Sequence, residues 1–351
     1  MKDTNQDEVT AEDSEIVKDS SVEEKKRGIP KHVYILVAVA VVMTSFASIL
    51  IRLAGQGIDE INGSLIPANP FVIAFWRLLF ATLGMFIGAL VSRNLKEFKK
   101  VKIKRDVPLL VLSGLMLAIH FATWNLSLQV TEIASSMTIV YLMPFFALIL
   151  SMIFLKERIS WIQFGAIMLA MVGAFVVGLS DLLFTKNLLG VSVALAGGIS
   201  AAAYFVIGRK MREKLDVFSY ATIVYGICTI FLLVIVFAFP DSRHVLVAGL
   251  KWQHFLLFGL LALGPSCLGH TLYNYSLGYV KAPVITVTAL FEMFGATILA
   301  YAIFDQIPTY LVFIGMALVA VGIIITVIFE NKAIKKQMES PVLPAEEISE
   351  G

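Results

Sequence analysis

The chain has 351 residues, of which 58% are hydrophobic and only 15% charged, with a mean hydropathy of +0.84 and a formal net charge of +2. A soluble domain carries about 25% charge, so a water-soluble globular protein is excluded, and the scattered basic residues form no patch of the kind that binds nucleic acid. The two cysteines, Cys228 and Cys267, offer neither a disulfide framework nor a metal-ligand spacing.

Residues 1–31 hold nine acidic side chains and little apolar clustering, which predicts a disordered tail. Ten apolar runs follow, at roughly 33–53, 70–91, 107–129, 133–154, 161–180, 188–208, 217–240, 252–279, 281–304 and 308–329. Each approaches the ~20 residues that cross ~30 Å of hydrocarbon, and the first reads as an uncleaved anchor. The alternating ten-residue segments of a β-barrel are not seen. Residues 330–351 read as a second polar tail.

The second five runs echo the first five. Trp124-Asn125-Leu126-Ser127-Leu128 matches Tyr273-Asn274-Tyr275-Ser276-Leu277, and the same offset of 149 residues pairs Phe145 with Phe294, Phe164 with Phe313, and Val172-Gly173 with Val321-Gly322. An odd number of helices per unit makes the second copy enter from the opposite side. The expected fold is therefore an all-α polytopic membrane protein of ten transmembrane helices, built as two inverted five-helix repeats over 33–180 and 185–329. Such repeats commonly build small-molecule transporters, with the substrate site near mid-bilayer.

Loop charge sets the orientation. With the N-terminus cytoplasmic, the inner segments hold 21 Lys and Arg, among them Arg93 to Arg105, Lys156, Arg158 and Arg209 to Lys214. The outer segments hold Lys186, Arg243 and Lys251, with Arg52 at a helix edge. A multi-pass protein of the cell membrane with both termini cytoplasmic is expected.

Polar residues inside the runs are the candidates for chemistry, because a charge at mid-bilayer costs about 2.5–3.5 kcal/mol on insertion scales. Arg77 lies ~10 Å below the outer surface and Glu292 ~16 Å from the inner one, at 1.5 Å per residue. Their depths allow an ion pair, whereas a snorkelling Arg77 would only orient its helix. Thr288, Glu292 and Gly295 share one helical stripe, which favours a cavity role for Glu292. His120 and Trp124, and His270 and Asn274, are i, i+4 pairs that share faces and suit a pocket for an aromatic, cationic or amphipathic solute. Interhelical bonding and interface anchoring account for them equally well. Thr138 with Tyr141, Ser45 with Ser48, and Ser200 with Tyr204 fit a mildly polar cavity or helix packing. Gly165, Gly173, Gly315 and Gly322 read as close-packing surfaces, and Pro144 as a kink.

No protease, hydrolase, nucleotide-binding or redox motif occurs, so neither enzyme activity nor a cofactor is expected. The partners expected are a small-molecule solute and the lipid bilayer. The open alternatives are a proton-coupled exporter using Glu292, and a non-transporting scaffold or sensor.

The ordered set Asn69-Pro70-Phe71, Phe75-Trp76-Arg77, Pro144, Leu155-Lys156-Glu157-Arg158, Gly165, Gly173 and Glu292, spread over residues 33–329, resembles an EamA-type permease of the drug/metabolite transporter superfamily. The resemblance implies two bundles around a central cavity lined mainly by helices 1, 3, 4, 6, 8 and 9, with amino acids, metabolites or drugs as cargo. It gives Arg77, Pro144 and Glu157 structural or coupling roles. Two departures stand out. The family's Glu-Pro in the ninth helix is Glu292-Met293 here, and its Gly-Glu after that helix is Asp305-Gln306.

Overall fold

A computed structural model describes residues 29–56, 67–131, 133–182, 188–305 and 307–339. The sequence-based expectations for residues 1–28 and 340–351, and Gln306, lie outside them.

Among the described residues ten helical spans follow one another: α1 (Lys31–Ser45 and Ala47–Gln56), α2 (Pro70–Val91), α3 (Ile103–Val130), α4 (Ile133–Val140, Met143–Leu150 and a π-turn Ser151–Leu155), α5 (Trp161–Leu182), α6 (Leu188–Arg212), α7 (Val217–Ala238), α8 (Trp252–Leu261, a π-segment Ala262–His270 and Thr271–Ser276), α9 (Ala282–Thr288, a 3₁₀ turn Ala289–Phe291 and Glu292–Phe304) and α10 (Tyr310–Glu339). Among the described residues nine are long and apolar enough to cross a membrane, and Trp161–Val177 in α5 is a shorter apolar stretch.

Local chemistry explains where the spans begin and break. Asn69 caps α2 by accepting from the Phe71 N–H at 2.9 Å, with Pro70 in the first turn. Asp216 caps α7 through the Phe218 and Ser219 N–H groups. Pro144 lies in the first turn after the Tyr141–Leu142 break, where its missing N–H costs nothing. The fourth and ninth spans end alike, with Lys156 and Asp305 in left-handed conformation at φ 55° and 53°. These two residues are separated by the repeat offset. At the C-terminus α10 runs on to Glu339, so the polar segment after Glu330 begins as helix.

The packing follows the inverted repeat. Three pairs cross the pseudo-two-fold axis with their own equivalents: α2 with α7, α4 with α9, and α5 with α10. The fourth relation is an exchange, α3 on α6 and α1 on α8. Close approach needs small residues. A Cβ on Gly173 would sit 2.6 Å from the Gly315 carbonyl oxygen, and one on Gly322 would sit 2.6 Å from that of Ala166. These are the same contact seen from the two halves. Gly165 departs from expectation: nothing lies within 4 Å of its Cβ position, so it packs against no neighbour. In α6, Gly198 lets the Val140 backbone approach, and Gly197 admits Thr123 and the α3 backbone. That contact sets α3, α4 and α6 around one central space.

Candidate functional site

The central space is a small cavity lined by His120 and Trp124 of α3, Met137, Val140, Tyr141 and Met143 of α4, Ala201 and Phe205 of α6, His270 and Tyr273 of α8, and Ala289 and Glu292 of α9. Its volume is about 40 Å³, little more than one water's share of liquid volume, ~30 Å³. As it stands the cavity is too small for an organic solute.

Glu292 is its only carboxylate. The hydroxyl of Tyr273 donates to Oε1 at 3.1 Å and that of Tyr141 donates to Oε2 at 3.4 Å. Thr44 of α1 stands 3.4 Å behind the Tyr273 hydroxyl. Two phenols from different repeats thus hold the carboxylate. No Lys, Arg or His reaches ion-pair distance of it among the described residues.

The remaining walls are rings. His120 stacks on Trp124 at 5.6 Å between centroids and 13° between planes. Its Nδ1 lies 3.0 Å from the Gly197 carbonyl, which can only accept, so that nitrogen carries the proton. His270 stacks on Phe205 at 6.3 Å and meets the edge of Tyr273 at 6.5 Å. Two buried nitrogens on this wall, Trp124 Nε1 and His270 Nδ1, have no hydrogen-bond partner among the described residues. Buried polar groups are rarely left so, and both suit a ligand or water in the cavity.

Of the nine residues expected to contact a solute, five line this cavity: His120, Trp124, Tyr141, His270 and Glu292. Four lie elsewhere. The Asn274 side chain bonds the Tyr204 hydroxyl, and both are fully buried behind the wall. Thr138 is buried but does not border the space. Thr288 donates back to Val284 O at 2.7 Å and lines a separate groove with Gly295. The 3₁₀ turn explains that split. Three residues at ~3.0 per turn rotate Glu292 away from the stripe an unbroken α-helix would give it. His270 and Asn274 follow each other on one α-helical turn, but only His270 borders the cavity, Asn274 being taken up by Tyr204.

The Arg77–Glu292 pair is also corrected. Arg77 is fully buried, but its Nε donates to Ser266 Oγ at 2.8 Å and its guanidinium lies 4.3 Å from the Phe121 ring centroid. α2 packs on α7 and on the π-segment of α8, which holds the guanidinium behind Phe121 rather than in the cavity.

Tyr273, Met143 and Phe205 were not anticipated. The repeat offset holds the signal for two of them: Tyr273 is the equivalent of Trp124, and Met143 that of Glu292. Val140 and Ala289 are a third such pair. The cavity lies on the pseudo-two-fold axis, and only one half supplies an acid.

At the Lys/Arg-rich face the halves are tied by polar contacts. Arg209 Nε donates to Glu157 at 3.2 Å, and its Nη1 donates to Leu277 O at 2.6 Å. Lys281 donates to Glu330 at 3.1 Å and to Arg158 O at 3.2 Å, while Gln163 donates to Glu330 at 2.9 Å. Burial raises the Glu157 carboxyl pKa above its ordinary value, although Arg209 pulls the other way.

Comparison with known proteins agrees with this architecture. A 23% identical transporter of uncharacterised role, YdfC of Bacillus subtilis (strain 168), aligns over 81% of this chain and 90% of its own length. An S-adenosylmethionine uptake transporter of Rickettsia bellii (strain RML369-C) is 24% identical over 77% of this chain and 88% of its own. A solved crystal structure, 14% identical, superposes with a TM-score of 0.67 over 85% of this chain and 98% of its own, which supports the fold alone. The profile of the EamA-like transporter family matches residues 31–179 and again 188–328. A multi-pass membrane transporter by its helices and its relatives, the chain belongs to the EamA-like transporter family.

Proposed function

We propose that the protein carries small organic cations across the membrane by alternating access, with Glu292 as counter-charge. The observation that carries this reading is the carboxylate held by Tyr141 and Tyr273, without a protein cation, inside a box of rings. A positive ligand gains from the carboxylate and from the ring faces together, the latter contributing ~0.5–2 kcal/mol per contact. The cavity is too small for such a solute as it stands, so binding requires the two bundles to part. The Glu157–Arg209 and Lys281–Glu330 contacts close one end, and we assign them as the inner gate.

The test is equilibrium binding of benzyltrimethylammonium, benzyl alcohol and phenylacetate to purified protein in nanodiscs. Saturable binding of the cation, with the neutral and anionic compounds at least tenfold weaker, is the expected result. Equal binding of all three, or preference for the anion, would overturn it. Trp124→Leu should weaken the cation several-fold with folded yield kept. Low yield with full activity in the remainder would make Trp124 an anchor.

The orientation has its own check. A single cysteine replacing exposed Asp241 should react with an impermeant thiol reagent in intact cells, and one replacing exposed Lys99 should not. Labelling at Lys99 contradicts cytoplasmic termini. For the gate, Arg209→Gln should raise the rate at which a cysteine at Met143 is labelled from the inner side in inverted vesicles. An unchanged rate would make the ion pair a static tie.

A further inference from the structure

A second cavity, about 760 Å³, opens between α1, α9 and α10. It is bordered from Val33 to Phe46 on α1, from Val284 to Leu299 on α9 and from Ile323 to Ile328 on α10. Its walls are almost wholly aliphatic and aromatic. The two hydroxyls deep within it make no demand on an occupant: Ser45 donates to Val41 O and Thr288 to Val284 O, both at 2.7 Å. The fourteen residues from Val33 to Phe46 span ~20 Å at 1.5 Å per residue, more than half of a ~30 Å hydrocarbon core. The groove thus runs from one membrane face to just past the midplane, the reach of one leaflet's acyl chains.

Its mouth is basic. Lys31 continues the α1 stripe of Tyr34, Ala38 and Val42, and Lys332 and Lys335 continue the α10 stripe of Ile324 and Ile328. All three lysines are exposed. The Lys332 ammonium is turned back over the Phe329 ring at 5.2 Å, towards the membrane. The nearest carboxylate on α10, Glu330, is buried and engaged by Lys281 and Gln163, so it does not cancel the mouth's charge. Asn331 accepts from the Ile29 N–H at 3.3 Å and ties the two helices at that end.

We propose that this groove is a binding site for one anionic phospholipid, its acyl chain along α1 and α10 and its phosphate at Lys31, Lys332 and Lys335. Apolar walls with no unmet polar group select hydrocarbon, and the basic mouth selects the charged head group. The site backs onto the central cavity. Ser45 and Gly295 border the groove, and Ser45 also donates to the Glu292 carbonyl at 3.3 Å. An acyl chain here lies against the helix that carries Glu292.

Native mass spectrometry of the full chain in neutral detergent tests this, with dioleoylphosphatidylglycerol and dioleoylphosphatidylcholine as probes. One phosphatidylglycerol per protein should be retained, with about hundredfold preference over phosphatidylcholine, the scale expected from three lysines at ~1 kcal/mol each. The triple variant Lys31→Gln, Lys332→Gln, Lys335→Gln should abolish the preference. The triple Lys96→Gln, Lys99→Gln, Lys100→Gln, elsewhere on the same face, should keep it. Ala38→Trp, at an exposed position lining the groove, should lower occupancy by both lipids while the protein stays monodisperse. A preference that survives the first triple overturns the proposal, as does full occupancy in Ala38→Trp. So does a dimer that forms without lipid and is lost in Ala38→Trp, since that would seat a second copy in the groove.

Discussion

Valine at Gly173 or Gly315 is expected to prevent accumulation of folded protein, whereas valine at Gly165 should be nearly neutral. The three glycines look alike in sequence, each in an apolar helix of the fifth or tenth span. In the structure a Cβ at Gly173 would meet the Gly315 carbonyl oxygen at 2.6 Å, and one at Gly315 would meet the Gly173 carbonyl oxygen at 2.5 Å. Both obstacles are backbone, so no side-chain rotation relieves them and the helices must separate. Overpacking typically costs 1–3 kcal/mol. Here the lost contact runs along the whole α5–α10 interface, so roughly 3 kcal/mol or more is expected for each substitution. Gly322→Val should behave like Gly173→Val, since its Cβ meets the Ala166 carbonyl oxygen at 2.6 Å in the equivalent contact. Gly165→Val meets nothing and gains slightly in helix propensity. Fluorescence-detected gel filtration with a thermal ramp reads all four. Equal yields for Gly165→Val and Gly173→Val would show that α5 and α10 do not pack through these glycines.

Glu292→Gln is expected to reduce transport by ten- to a hundredfold while preserving the fold. Amide and carboxylate are nearly isosteric, and the carbonyl of Gln can still accept from Tyr141 or Tyr273. What disappears is the charge. A unit pair at ~4 Å is worth ~4 kcal/mol at an effective dielectric constant of 20. Desolvation of both ions removes part of that, leaving ~1.5–3 kcal/mol, which is the stated range. Because Arg77 is engaged by Ser266 and Phe121 rather than by Glu292, the change strands no ion-pair partner. Thermal stability should therefore fall little, in contrast to the collapse expected of a broken buried ion pair. Uptake by liposomes with and without an imposed pH gradient completes the experiment. A facilitator shows cation flux that the pH gradient does not drive. Gradient-driven accumulation in the native protein, lost in Glu292→Gln, would instead make Glu292 a proton carrier. Full transport by Glu292→Gln would remove the carboxylate from the mechanism. Tyr141→Phe and Tyr273→Phe should each produce a smaller loss, since each deletes one hydrogen bond to a charged acceptor, ~1.5–3 kcal/mol when buried and less if the other phenol compensates.

Much of this protein is determined by its sequence alone, because the bilayer is a severe selector. Runs of apolar residues near 20 long must be helices there, since lipid offers no partner to an unpaired peptide group. The helix order follows from that constraint, while the matched offset of Trp124 with Tyr273 and the resemblance carried by Arg77, Pro144 and Glu157 are read from residue identity. His120 and Trp124 were legible as one face because α3 is an unbroken α-helix around them. The tertiary structure decided the rest, where local geometry departs from 3.6 residues per turn. A 3₁₀ turn in α9 turned Glu292 into the cavity and left Thr288 in the groove. Such breaks depend on which helices press on a segment, and that information is spread over the chain. The same holds for Gly165 and Gly173, where only the neighbour across the interface tells an open position from a backbone contact. It holds too for Arg77, whose depth matched Glu292 but whose partners, Ser266 and Phe121, were set by the packing of α2 against α8 and α3.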